Sequence, residues 1–70
     1  MMIQKNFFLN GNKYSTNTSI TISDLLKYFN YNSTLFIIEY NNYICHEKKW
    51  STTIIKSSDK IEVITIVGGG

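Results

Sequence analysis

The feature that most limits how this chain can fold is a short apolar stripe at helical spacing. Ile22, Leu25, Leu26 and Phe29 fall at i, i+3, i+4 and i+7, which places them on one face of a helix. The segment that starts it, Thr21-Ile22-Ser23-Asp24, has the spacing of a capping box. The Thr21 hydroxyl can accept from the backbone N–H three residues on, and the Asp24 carboxylate can reach back. Its charge also suits the positive end of a helix. The helix is predicted to end near Asn30, because Asn tolerates the left-handed conformation of a C-cap. So short a helix must bury its stripe against something else, and the rest of the chain reads as strands.

The first strand is predicted from Ile3 to Leu9 and the second from Asn12 to Thr16. Between them, Asn10-Gly11 is the sequence of a type I′ hairpin turn, which needs φ > 0 at both central residues. Leu35 to Tyr40 makes a third strand, Asn41-Asn42 a turn, and Tyr43 to Cys45 a fourth strand. Glu47 to Trp50 reads as a helical turn anchored by the Trp50 ring, and Ser57 to Lys60 as another turn. Ile61 to Val67, rich in β-branched residues, is the last strand. The order β-β-α-β-β-β predicts an α+β fold of the β-grasp (ubiquitin-like) class, a mixed sheet covered on one face by a short helix. In that fold the first and last strands lie side by side and parallel at the middle of the sheet. The expected organisation is a β-grasp domain over residues 1–67, with residues 68–70 as a free C-terminal tail.

Size and charge narrow the function. Seventy residues make one domain with a stability of roughly 3–5 kcal/mol. Such a chain has little room for a catalytic cleft, so a carrier or binding module is expected rather than an enzyme. The net charge of +2 comes from seven Lys and no Arg. The lysines are scattered, and the residue best suited to bidentate phosphate contacts is missing, so no nucleic-acid partner is expected. With Cys45 as the one cysteine, a disulfide framework is excluded and a reducing compartment fits. No apolar run nears the ~20 residues of a membrane span. Lys5 and Asn6 break up the N-terminal apolar residues, unlike a signal peptide. A soluble intracellular protein is expected.

Several groups could carry chemistry. Cys45-His46 invites a nucleophile–base or metal reading. Neighbouring strand residues point to opposite faces, however, and a zinc site needs about four ligands. Both are therefore read as structural, with no metal site and no catalytic residue. Asp24, Glu39, Glu47, Asp59 and Glu62 show no paired acid–base spacing and are expected as solvated surface charges. Gly68-Gly69-Gly70 is different. Glycine costs the most entropy to order, so three at a terminus are not there for packing. They suit a tail that threads a narrow channel and presents its carboxylate to another protein's active site. The other reading is a frayed end. Strand parity adds a surface. If Phe7, Leu9, Ile61 and Val63 face the helix, then Phe8, Ile64 and Ile66 face away, joined by Ile37 beside Glu39. That uncovered face is a candidate partner-docking surface, unless the Met1–Lys5 segment covers it.

In these pieces the chain resembles the ThiS family, the sulfur carriers of thiamine thiazole synthesis. Asn10-Gly11 resembles the family's first hairpin, and Thr21-Ile22-Ser23-Asp24-Leu25-Leu26 its T-V-x-[DE]-L-L helix start. Ile38-Glu39-Tyr40-Asn41-Asn42-Tyr43-Ile44 resembles V-E-V-N-G-E-I, and Glu47-Lys48-Lys49-Trp50 the R-x-x-W turn. Asp59-Lys60-Ile61-Glu62-Val63-Ile64 with Val67-Gly68-Gly69-Gly70 resembles D-R-V-E-I-V…V-G-G-G. Three turn positions depart from the pattern: Asn42 and Ser58 stand where Gly is usual, and His46 where Pro is usual.

The resemblance implies that Gly70 is the modified residue, first adenylated and then converted to a thiocarboxylate, with Gly68 and Gly69 as the threading tail. It implies a ThiF-like adenylyltransferase, a ThiG-like thiazole synthase and a cysteine desulfurase or rhodanese-like sulfur donor as partners. ATP would be consumed by the activating partner, and the carrier, a monomer alone, would hold no permanent cofactor. Two relatives in chemistry or fold stay open: the small subunit of molybdopterin synthase and a ubiquitin-like protein modifier. The absence of Ala, Arg and Pro beside abundant Ile, Asn and Lys points to an A/T-rich genome. That fits a bacterial cytoplasm or the plastid stroma of an alga.

Overall fold

The computed structural model describes residues 4–31 and 36–65. Strand β1 (Lys5–Leu9) and strand β2 (Asn12–Thr16) form a hairpin, followed by helix α1 (Ile22–Tyr28). Strand β3 (Phe36–Tyr40) and strand β4 (Tyr43–Cys45) form a second hairpin. A 3-10 turn over Glu47–Lys49 and strand β5 (Lys60–Thr65) complete the order. The five strands make one mixed sheet in the order β2-β1-β5-β3-β4. Only β1 and β5 pair in parallel, and β5 sits at the centre, as the β-grasp order requires.

The turns explain themselves residue by residue. Asn10 and Gly11 both take positive φ, 51° and 82°, and hold Leu9 opposite Asn12. Asn41 and Asn42 do the same at 51° and 73°, so Asn42 fills the place of the family's glycine without changing the turn. Ser58 also adopts positive φ, 70°, and its N–H reaches the Asn6 carbonyl at 2.6 Å. His46 sits at φ −67°, ψ 149°, the value a proline ring would lock. All three departures thus keep the backbone that the usual residue would impose.

Helix α1 has both capping-box bonds: Asp24 N–H donates to Thr21 Oγ1 at 3.1 Å, and Thr21 N–H donates to Asp24 Oδ2 at 2.9 Å. At its other end the Tyr31 N–H bonds the Leu26 carbonyl and the Asn30 N–H bonds that of Lys27. With Asn30 at φ 59°, this is a Schellman C-cap. Ile22, Leu25 and Leu26 are buried against Phe7, Leu9, Ile38, Ile55 and Ile61, with Phe29 packed at the margin. Trp50 stacks on Phe36 with ring centroids 5.5 Å apart and donates its indole N–H to the Cys45 carbonyl at 2.8 Å. That anchors the 3-10 turn as expected.

One expectation is overturned. Asp59, read from sequence as a solvated surface charge, is only 7% exposed. Its Oδ2 accepts from the Tyr40 hydroxyl and from the Lys56 N–H, and its Oδ1 accepts from Asn41 Nδ2. Asn41 Oδ1 in turn accepts from the Lys60 N–H at 2.8 Å. A carboxylate can be buried here because every face of it meets a donor. The network pins the start of β5 to the β3–β4 turn.

Candidate functional site

The last described strand, β5, is the central one of the sheet. β1 pairs with β5 only at Phe8–Lys60 and Leu9–Ile61. Past the hairpin tip, β5 continues alongside β3 alone, to Thr65 opposite Phe36. The Val63 N–H, which lies beyond the end of β1, is taken by Asn10 Oδ1 at 2.8 Å. The strand is therefore held firmly until shortly before the sequence Gly68-Gly69-Gly70. Those glycines and Ile66 lie outside the described residues.

Alternation along β1, β3 and β5 sorts the candidate docking residues. Phe7, Leu9, Ile38 and Ile61 are buried beneath α1, and Val63 packs against that core. Phe8, Ile37 and Ile64 therefore stand on the opposite face, as strand parity predicts; no element of the described residues covers it, and residues 1–3 of the Met1–Lys5 segment offered as its cover lie outside the described residues. Ile37 and Ile64 are direct cross-strand partners and form the row of this face nearest the C-terminal end of β5. Phe8 and Ile37 are half-buried and Ile64 is 37% exposed. Ile44, which the sequence reading missed, belongs to the same face. It pairs with Glu39, its neighbour Cys45 turns toward the core, and it is 55% exposed. Its apolar residue next to an inward Cys was a signal, but a three-residue strand cannot be assigned a face without its register. Beside Phe8 a pit of about 160 Å³ is lined by Phe8, Gly11, Lys60, Ile61 and Glu62.

The cysteine and histidine do not meet. Cys45 packs against the core with Sγ 3.7 Å from Thr53 Oγ1, while His46 is exposed. Among the described residues no three His, Cys, Asp or Glu side chains gather where they could hold a metal. No helix of the described residues is long and apolar enough to cross a membrane.

A five-stranded mixed sheet with a central C-terminal strand and one covering helix defines the ubiquitin-like β-grasp class. The model of the ThiS family matches residues 7–70, and the chain belongs to that family. The protein ycf40 of Trieres chinensis, described as uncharacterized, is 53% identical over 66 residues, covering 94% of this chain and 90% of its own length. The ycf40 of Porphyra purpurea, described likewise, is 38% identical over 71 residues, covering 99% of this chain and all of its own. Among solved structures, the thiamine biosynthesis protein ThiS of Geobacter metallireducens superposes with a TM-score of 0.78 at 22% identity. It covers 93% of this chain and 99% of its own, a likeness of fold.

Proposed function

We propose that this protein is a sulfur carrier whose Gly70 carboxylate is activated and converted to a thiocarboxylate that supplies sulfur for thiazole formation in thiamine biosynthesis. The observation that carries the reading is the family match, which runs to residue 70 through Gly68-Gly69-Gly70. In the sequence those glycines begin three residues after Thr65, where the central strand β5 ends.

The chemistry follows from the weakness of a carboxylate as an electrophile. A Gly70 carboxylate oxygen attacks the α-phosphorus of ATP and pyrophosphate leaves. The terminal sulfur of a donor persulfide then attacks the acyl carbon, and AMP departs. A thiol cleaves the resulting acyl disulfide, taking the donor sulfur into a new disulfide and leaving the glycyl thiocarboxylate. The carrier contributes position and the acyl group; its partners contribute catalysis. The face with Phe8, Ile37 and Ile64 serves as the docking surface for the adenylyltransferase in this reading, with Ile66 a further candidate from the sequence alone. The ycf40 relatives, all from algae, favour a plastid origin over a bacterial one.

The test is a one-residue extension. An alanine added after Gly70 leaves the core unchanged but moves the carboxylate by up to ~3.5 Å, and a misplacement of about 1 Å can cost a hundredfold in rate. After incubation with a ThiF-like adenylyltransferase, ATP and a persulfide donor, intact-mass spectrometry should show one oxygen-to-sulfur exchange in the wild type and none in the extended form. Conversion of neither, by an enzyme active on its own carrier, refutes the carrier function, and equal conversion of both refutes the requirement that Gly70 be the terminal residue.

A further inference from the structure

The uncovered sheet face carries a charge arrangement that the isolated domain does not explain. Glu39 and Glu62 are direct cross-strand partners on β3 and β5, and both belong to the face away from α1. Like charges directly opposite one another destabilise a sheet, and this protein is otherwise cationic, with a net charge of +2. Among the described residues neither carboxylate has an ion pair or hydrogen bond. Lys60, two residues before Glu62 on the same face, lies beside Phe8 instead. The acidic pair is bordered by apolar side chains. Ile37 and Ile64 make the next row toward the C-terminal end of β5, and Ile44 flanks Glu39 on its outer side. The pit beside Phe8 opens next to Glu62.

We propose that the partner which docks on this face places an arginine over the Glu39–Glu62 pair. The argument is charge complementarity: the pair is bordered by Ile37 and Ile64 on the row toward the end of β5, while Lys60 and Lys13, on the same face beside Phe8, make no ion pair with it among the described residues. A guanidinium presents a rigid fork of donors that can bridge two carboxylates, while its aliphatic stem lies on Ile37 and Ile64. An ammonium offers a compact point charge without that fork. The unrelieved repulsion of the free domain is then relieved only in the complex. The pair thereby favours a basic partner surface and disfavours an acidic one. This rests on the carrier reading for the partner's identity, the adenylyltransferase, and adds the chemistry of its contact.

The experiment compares wild type with the double variant Glu39→Gln, Glu62→Gln, using the purified ThiF-like adenylyltransferase of the same organism as probe. The variant should melt at the same temperature or higher, because it loses a repulsion. Its Kd should rise at least tenfold at low ionic strength, and its affinity should depend less on salt than that of the wild type. At saturating enzyme the variant's tail should still be converted, so the loss appears in KM and not in kcat. Equal affinity and equal salt dependence of the two proteins overturn the arginine contact, even where both are converted and the carrier function stands. A wild type that binds through the pair but is never converted keeps the contact and refutes the carrier function. A wild type that does not bind at all overturns the contact.

Discussion

At the scale of single residues, Asp59 does the most to define this sheet. Its carboxylate accepts from a backbone N–H and from two side chains, Tyr40 and Asn41. An amide in its place keeps one oxygen and turns the other acceptor into a donor. Either orientation then sets NH2 against the Lys56 N–H or the Asn41 amide, and the Lys56 N–H cannot rotate away. Asp59→Asn should therefore cost about 2 kcal/mol, read as a lower urea midpoint at unchanged slope. Tyr40 feels the same site from the other side. Burial, then the hydrogen bond and negative charge of Asp59, push its phenol well above its ordinary value of 10.0. The folded state holds that proton more tightly than the unfolded chain. The contribution is thus complete below pH 10 and is lost as pH rises beyond it. Tyr40→Phe should flatten the fall in stability on that alkaline limb.

At the scale of elements, α1 depends on its ends. A seven-residue helix is too short to persist on propensity, so its caps and its buried stripe hold it. Thr21→Ala removes the acceptor for the Asp24 N–H and should destabilise the protein by about 1 kcal/mol, measured in urea melts. Acid tests the same cap. The backbone and hydroxyl bonds of Thr21, and more weakly Lys27, hold the Asp24 carboxyl below its ordinary 3.8. A depressed carboxyl stabilises the fold above that value and ceases to do so as pH falls through the folded one. The wild type should lose more stability between pH 5 and pH 2, to the order of magnitude that one titrating carboxyl allows, than Thr21→Ala does. Equal losses would mean that the box does not set the acid response.

At the scale of the whole molecule, the two faces of the sheet differ. One face is the core beneath α1; the other has no element of the described residues packed on it. Ile64→Lys, on the uncovered face, should leave the melting temperature nearly unchanged. In the carrier reading it should weaken binding to the adenylyltransferase by at least ~2 kcal/mol, the scale of a hot-spot residue. Isothermal titration checks the binding and circular dichroism the fold. An unfolded Ile64→Lys would contradict the placement of Ile64 away from the core. A folded variant with unaltered affinity would remove this face from the docking surface.

What the amino-acid sequence determined by itself was local. The stripe Ile22, Leu25, Leu26 and Phe29, the Thr21–Asp24 box, the Asn10-Gly11 turn and the alternation of Phe7, Phe8 and Leu9 all follow from neighbours a few residues apart. Helical and strand periods and turn dihedrals act at that range. The boundaries shifted slightly, with β5 starting at Lys60 where Ile61 was expected, because strand ends are set by pairing and not by composition. The burial of Asp59, the central place of Ile55 in the core, the membership of Ile44 in the open face and the opposition of Glu39 to Glu62 came only from the tertiary structure. Each depends on the register between segments separated along the chain. A one-residue slip in β3 against β5 would set Glu39 beside an inward-facing residue and dissolve the acidic pair. That register is fixed by the packing of the core beneath α1 and by the hydrogen bonds of Asp59 and Asn41, contacts that exist only once the sheet has closed.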